Sequence, residues 1–243
     1  MMIIQESEDT LPKLRSRRLV ERAVDALRER IVSGAYGTDG ELPPQGDLCH
    51  ELGVSRSVVR EAMQQLQSQR LIAVSQGRRP RVLPVGPEGM VDSLQLFIQR
   101  TDTSLEDLAE VRRPLEAEIA SCAATRITDD EIRDLRATIA EMQTAASIAE
   151  QVEADMRFHR ILATAGRNPI FGFLLDALGE LLRASRETTI GLGGVEPALC
   201  GHREILTAVE NRDSRAARQA MQDHLQASLN DIRSTDDDDD HKE

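Results

Sequence analysis

Two stretches of helical spacing joined by a single glycine turn constrain residues 45–69 more tightly than composition constrains the rest of the chain. The first covers Gln45 to Leu52, and Gly53 breaks it. The second starts at Ser55, a side chain suited to capping a helix N-terminus. It runs to about Gln69 with Val58, Val59, Ala62, Met63 and Leu66 turned inward. Ahead of this pair, from Ser16 on, Val20, Ala23, Val24, Leu27 and Ile31 recur three or four apart, and Ser33-Gly34 ends that helix. A turn-rich stretch from Tyr36 to Pro44 follows it. Beyond Arg70, Leu71 to Val74 and Arg81 to Pro84 read as two short strands around the basic turn Gln76-Gly77-Arg78-Arg79-Pro80. Helix, tight turn, helix and wing together predict a winged helix-turn-helix.

Pro84 to Gly89 is rich in breakers and poor in apolar side chains, which places a domain boundary there. Everything beyond it reads as helix: about 90–100, 104–125, 128–147, 149–166, 168–190, 197–211 and 213–234. Capping signals at Thr128, Asn168-Pro169 and Asp213 separate these segments. Aromatic residues make up only 2% of the chain and there is no Trp. Cores built from Leu, Ile, Val, Ala and Met suit packed helices better than aromatic-rich sheets. The expected architecture is therefore mainly α: an N-terminal winged helix-turn-helix and a C-terminal antiparallel helical bundle. The expected divisions are a flexible arm at 1–16, the DNA-binding domain at 17–84, a linker at 85–91, the helical domain at 92–234 and a disordered acidic tail at 235–243.

A net charge of −12 looks unsuited to DNA, whose phosphates need cationic partners. The charge is unevenly distributed. Residues 1–85 hold 13 of the 30 Lys and Arg and 11 of the 42 Asp and Glu, a net of +2 that leaves −14 for the remainder. Between 52 and 85, six arginines stand against Glu61 alone. Three cysteines, Cys49, Cys122 and Cys200, form neither an even set nor a close pair, so neither disulfides nor a Cys-based metal site is expected. No stretch is long and apolar enough to predict a membrane span, no leader pattern opens the chain, and a cytoplasmic location is expected.

In a helix-turn-helix the second helix lies in the major groove and needs long polar donors in its first turns. Arg56, Ser57 and Arg60 meet that need, with the two arginines four apart on the face opposite Val58, Val59, Ala62 and Met63. Each arginine can hold guanine O6 and N7 or a phosphate, and the sequence does not separate these roles. The run Leu42-Pro43-Pro44 followed by Leu52 to Met63 resembles the GntR family of bacterial regulators over residues 17–84. The resemblance implies that Arg56, Ser57, Arg60 and the wing residue Gly77 contact operator DNA, with Arg78 beside them. Two departures stand out. Gln45-Gly46 occupies a place where relatives often carry an acid followed by a polar or basic residue, and Gly77-Arg78-Arg79-Pro80 replaces a more glycine-rich wing tip.

Of the five histidines, His50 lies in the first helix of the motif and His241 in the tail. Asp155 and His159, spaced i, i+4, stack a carboxylate and an imidazole on one helical face. His202 opens a later helix. His224 follows Ala217 and Met221 at helical spacing, so its ring points into the bundle. Four candidate ligands on three helices can converge, although an Asp/His pair at this spacing also arises by chance. Asp155 to His159, Asn168-Pro169, His202 to Leu206 and His224-Leu225 resemble the FCD domain of the FadR-like GntR subfamily over residues 92–233. The resemblance implies Asp155, His159, His202 and His224 as ligands of a divalent transition ion, with zinc first and nickel or manganese as alternatives. Ala109 to Glu116 is similar to the family's first long ligand-domain helix, which implies that Arg112 faces the pocket. The alternative is a solvent-facing Arg112 paired with Glu116, and Pro114 is expected to kink or start that helix.

These readings lead to a homodimeric regulator, a repressor rather than an enzyme. It would bind palindromic operator DNA, and a small organic-acid or sugar-acid effector at the metal-containing pocket would control it. A metal-dependent hydrolase is the alternative from another class, since an ion with an open position can activate water. A regulator whose metal is purely structural is the third.

Overall fold

The computed structural model describes residues 11–239, apart from residues 38, 39, 76 and 102. It divides after Gly86 into two compact units. The first holds α1 (Leu11–Val32), α2 (Gln45–Leu52), α3 (Arg56–Ser68), β1 (Ile72–Ala73) and β2 (Arg81–Val82). Its core joins Val20, Val24 and Leu27 of α1 to Val59, Ala62 and Leu66 of α3, with Leu42, Leu48, Ile72 and Val82 closing the sides. Gly53 makes the α2–α3 turn possible. Its backbone is left-handed, with φ 63° and ψ 34°, and its N–H caps α2 by donating to the Cys49 carbonyl. At the other side of the turn, Ser55 Oγ accepts the Val58 N–H.

The two strands are antiparallel, with Ile72 opposite Val82 and Ala73 opposite Arg81, so each is shorter than its sequence signal. Glu41 adds a bridge to Arg81, and the Leu42 N–H donates to the Pro80 carbonyl. This pairing leaves no trace in a period-2 pattern, because a single bridge involves too few residues to show alternation. The first helix begins at Leu11, inside the expected arm. Pro12 falls in its first turn, where a missing N–H costs no intrahelical bond. Residues 1–10 lie outside the described residues.

The second unit is helical throughout: α4 (Glu88–Arg100), α5 (Leu105–Arg126), α6 (Asp129–Thr144), α7 (Ile148–Ala165), α8 (Pro169–Leu181), α9 (Arg183–Gly193), α10 (Glu196–Glu210) and α11 (Ser214–Asp239). The α4 helix starts within the expected linker, because the Pro87 carbonyl accepts the N–H groups of Met90 and Val91 and opens the helix. Reciprocal capping boxes fix the starts of α5, through Ser104 and Asp107, and of α6, through Thr128 and Glu131. Asn168 caps α8 by accepting the Ile170 N–H.

Helix α5 runs through the bundle against α7, α10 and α11. Ala120, Ala123 and Ala124 of α5 and Ala154 and Ala163 of α7 are fully buried, and these small residues let the helices approach closely. Phe158, Ile119, Leu135, Leu162 and Ile205 fill the remaining volume. Pro114 does not break α5. It lies on the exposed face, as does Glu110, whose carbonyl is left without an N–H donor and faces water.

Two expectations about helix lengths change. The stretch 168–190 is not one helix but breaks at Leu182, with φ −93° and ψ 0°. No glycine, proline or capping residue marks that break. The acidic tail, expected to be disordered from 235, continues α11 as far as Asp239, because each added residue gains one backbone hydrogen bond once a helix is established. Residues 240–243, His241 among them, lie outside the described residues. No described helix is long and apolar enough to cross a membrane.

Candidate metal centre and nucleic-acid interface

In the first unit, the apolar face of α3 is spent on α1, which turns the opposite face outward. Arg56, Ser57 and Arg60 are all exposed there, and Ser57 Oγ lies 2.9 Å from Ser55 Oγ. Gly77, with φ 74°, and Arg78 are exposed at the wing. Two other wing arginines are engaged: Arg79 and Arg81 stand 3.9 and 3.5 Å from Glu41 carboxylate oxygens. Among the described residues, Arg56, Arg60 and Arg78 have no such acidic partner. This is the pattern expected of cations held ready for phosphates or base edges.

In the second unit, helical registry carries four polar side chains into the core. Asp155 and His159 lie one turn apart on the buried face of α7, His202 on that of α10 and His224 on that of α11, all nine-tenths buried or more. One potential donor atom from each falls within 4.8 Å of all the others. His202 Nε2 is 3.2 Å from Asp155 Oδ1 and 3.3 Å from His159 Nε2, and His159 Nε2 is 3.8 Å from Asp155 Oδ1. A tetrahedral ion with bonds of about 2.0–2.1 Å sets its ligands about 3.3 Å apart, so these separations fit a transition ion. Two imidazole nitrogens facing each other at that distance gain most from a shared cation. The buried His202 Nδ1 has no hydrogen-bond partner, whereas Phe158 stacks on the His202 ring at a 4.0 Å centroid distance and fixes its plane.

The electrostatics of the cluster favour ligation. Burial lowers the pKa of His202 despite the neighbouring Asp155 carboxylate. Burial, followed by the His202 and His159 rings, pushes His224 well below the usual imidazole value. Both therefore remain neutral, the form that binds metal. Burial alone would raise Asp155, but the Arg186 guanidinium and the His202 hydrogen bond outweigh it and hold the carboxyl well below the usual range. The cluster thus presents three imidazoles and one carboxylate, a donor set suited to zinc-class ions.

Three neighbours complete the centre, and sequence reasoning gave none of them a place in it. Glu116 is 1% exposed, ion-pairs with Arg112, and brings Oε2 to 2.5 Å from His159 Nδ1 along an oblique line. A carboxylate behind a ligating imidazole holds the ring and raises its basicity. Burial opposes ionisation of Glu116, yet Arg112 and His159 keep it charged. The Arg112–Glu116 pair anticipated as a solvent-facing alternative therefore exists, but in the core, and Arg112 borders a cavity of about 100 Å3 together with Asp155 and His224. Arg186, on α9, is the second neighbour. Its Nε is 3.2 Å from Asp155 Oδ2, and burial with the nearby Arg112 pulls its pKa down to about 10.

Gly201 is the third neighbour, and it receives the His224 ring. A Cβ at this position would meet His224 Nδ1 at 2.5 Å and Cγ at 2.9 Å. Gly201→Ala is expected to displace the ring from the four-donor cluster and lower divalent-metal affinity by about 10–100-fold, the range seen when residues supporting a ligand are changed. Competition with a chromogenic chelator measures this, and an unchanged affinity would show that the ring has room to move.

Comparison with known proteins bears on both units. Residues 19–82 match the family described as bacterial regulatory proteins, gntR family, and residues 107–227 match the FCD domain. The galactonate operon transcriptional repressor of Escherichia coli K12 is 30% identical over 207 residues, which cover 82% of this chain and 90% of that protein. The chain belongs to the GntR family. The Glc operon transcriptional activator of the same strain is 27% identical, covering 89% of this chain and 91% of that protein. A Streptococcus agalactiae GntR structure matches with a TM-score of 0.70 and 28% identity, over 87% of this chain and 99% of that one. This GntR protein is therefore a DNA-binding transcription regulator with an FCD effector domain, and its relatives lend no support to the hydrolase alternative.

Proposed function

We propose that this GntR regulator is a homodimeric repressor that reads a palindromic operator and releases it in response to a small organic or sugar acid bound at a metal centre. The reading rests chiefly on the four buried donors Asp155, His159, His202 and His224 meeting beside a cavity that Arg112 also borders. Zinc is the ion of choice for three imidazoles and one carboxylate, with nickel or manganese as substitutes. When bound, such an ion supplies positive charge to a carboxylate or hydroxyl oxygen. Arg112 presents a planar guanidinium to the same anion. The galactonate relative, whose name carries a sugar acid, supports the acid class.

Arg56, Ser57, Arg60, Gly77 and Arg78 make the operator contacts in this reading. A two-fold dimer places its half-sites about one helical turn, ~34 Å, apart. The acid acts by population shift: it needs only to bind more tightly to the arrangement of DNA domains that does not fit the operator. In this reading the protein acts on operator DNA in the cytoplasm.

Arg60→Ala tests the DNA half of this reading, because an exposed side chain on α3 can be removed without disturbing the core. Operator affinity is expected to fall by about 5–150-fold, the equivalent of ~1–3 kcal/mol for a base contact. If Arg60 holds a phosphate instead, the loss is uniform across sequences and the salt slope falls by about one. Affinity and salt slope both unchanged in electrophoretic shifts would remove Arg60 from the interface.

A further inference from the structure

Arg186 is the charged group of the pocket that neither sequence spacing nor the four-donor cluster accounts for. The helix break at Leu182 separates α8 from α9 and carries Arg186 to the wall of the cavity that Arg112, Asp155 and His224 also border. Its side chain is 11% exposed. Two guanidiniums in one small buried space repel each other, and each has been given one acid: Glu116 for Arg112 and Asp155 for Arg186. Imidazoles that ligate a metal do so uncharged, so with the ion bound they add nothing to the charge of the two arginines and two acids, which cancel. A divalent ion held by Asp155 and the histidines makes the set doubly positive, and uncompensated buried charge is strongly unfavourable. Asp155 faces the donor cluster through Oδ1 and Arg186 through Oδ2, so ligation draws on the same carboxylate that now balances Arg186.

We infer that the pocket is selective for a short dicarboxylate, one carboxylate meeting the metal centre beside Arg112 and the other meeting Arg186. This rests on the acid-responsive reading above and narrows it. Two negative charges restore neutrality, and Arg186 offers the second carboxylate a planar fork of donors. Size points the same way. The enclosed part of this partly open cavity is about 100 Å3, below the ~150 Å3 that encloses benzene, so the stretch of ligand held between the two carboxylates is short.

The test is calorimetric titration of the full-length, zinc-loaded protein with malonate, succinate, propionate and galactonate. Malonate or succinate is expected to bind about tenfold or more tightly than propionate, a difference of ~1.4 kcal/mol. Arg186→Gln is expected to bring the ratio of dicarboxylate to propionate affinity down to about one in zinc-loaded protein, a ratio that reads selectivity separately from any loss of affinity common to all the acids. Arg186→Lys, which keeps the charge and guards against a folding defect in the glutamine variant, is expected to retain the order of affinities with a smaller margin. Propionate binding as tightly as the dicarboxylates, or a preference untouched in Arg186→Gln, overturns the dicarboxylate inference and leaves the acid-responsive reading standing. Tightest binding by galactonate does the same. If none of the four acids binds the loaded protein, the acid-responsive reading itself falls and this inference falls with it.

Discussion

If zinc is the ion, as proposed, His159→Ala is expected to take the protein from about one zinc per chain to nearly none, and to remove the thermal stabilisation expected on adding zinc to the parent. His159 belongs to the centre from both sides: Nε2 faces Asp155 and His202, and Nδ1 faces Glu116. Loss of the ring removes one of four donors and breaks the link to the carboxylate behind it. An ion present at one hundred times its dissociation constant stabilises the folded state by ~2.7 kcal/mol, so the parent's melting temperature should respond clearly to zinc and the variant's should not. The comparison is made between metal-free and zinc-loaded forms of each protein, because the alanine also leaves a cavity that lowers stability without any ion. Equal zinc content in the two proteins by elemental analysis would mean that the cluster is an ordinary buried polar network. A regulator whose zinc is purely structural would lose the metal and its stability but would show no effector-dependent operator release in the parent.

How much of this was legible in the sequence depends on whether a feature is local. Val58, Val59, Ala62, Met63 and Leu66 repeat along one face, and Gly53 and Ser55 mark the turn by their own chemistry, so α2 and α3 could be placed from spacing alone. Asp155 and His159 were visible as a pair because they share one helix, whereas His202 and His224 needed family resemblance to join them. The supporting groups were harder to see. Glu116 is four residues from Arg112 on the same stripe as Leu108, Ala120 and Ala123, and following that stripe would have turned the pair inward. The habit of reading an Arg/Glu pair at i, i+4 as a surface feature hid it. Arg186 lies just beyond the break at Leu182, where no breaker residue stands and where Leu182 is buried with Leu108 and Leu178, so no local pattern announces it. Gly201 matters only because α11 delivers the His224 ring above it, a contact between segments that no local pattern encodes.

Glu116→Gln is expected to destabilise the metal-free protein by ~3–5 kcal/mol, a substantial part of a domain's total stability. The amide keeps the shape but removes the charge that faces Arg112, and the Arg112 side chain is only 8% exposed. Removing one member of a buried pair leaves the other as an uncompensated charge in a poorly solvated place, and that penalty exceeds the worth of the pair itself. Replacing both members with apolar residues, Arg112→Met with Glu116→Leu, is therefore expected to recover most of the lost stability, because no isolated charge remains. Recovery of stability would not restore the centre: the double variant lacks both the carboxylate behind His159 and the cavity guanidinium, so its zinc affinity should remain about 10–100-fold below the parent's. Urea unfolding of metal-free protein and chelator competition read the two effects separately. A loss below ~1 kcal/mol in Glu116→Gln would show that water reaching the cavity already solvates Arg112. A double variant no more stable than the single would mean that Glu116 contributes through His159 alone. Recovered folding with impaired metal binding would show that the Arg112–Glu116 pair is retained for the centre it organises, at the expense of a simpler apolar core.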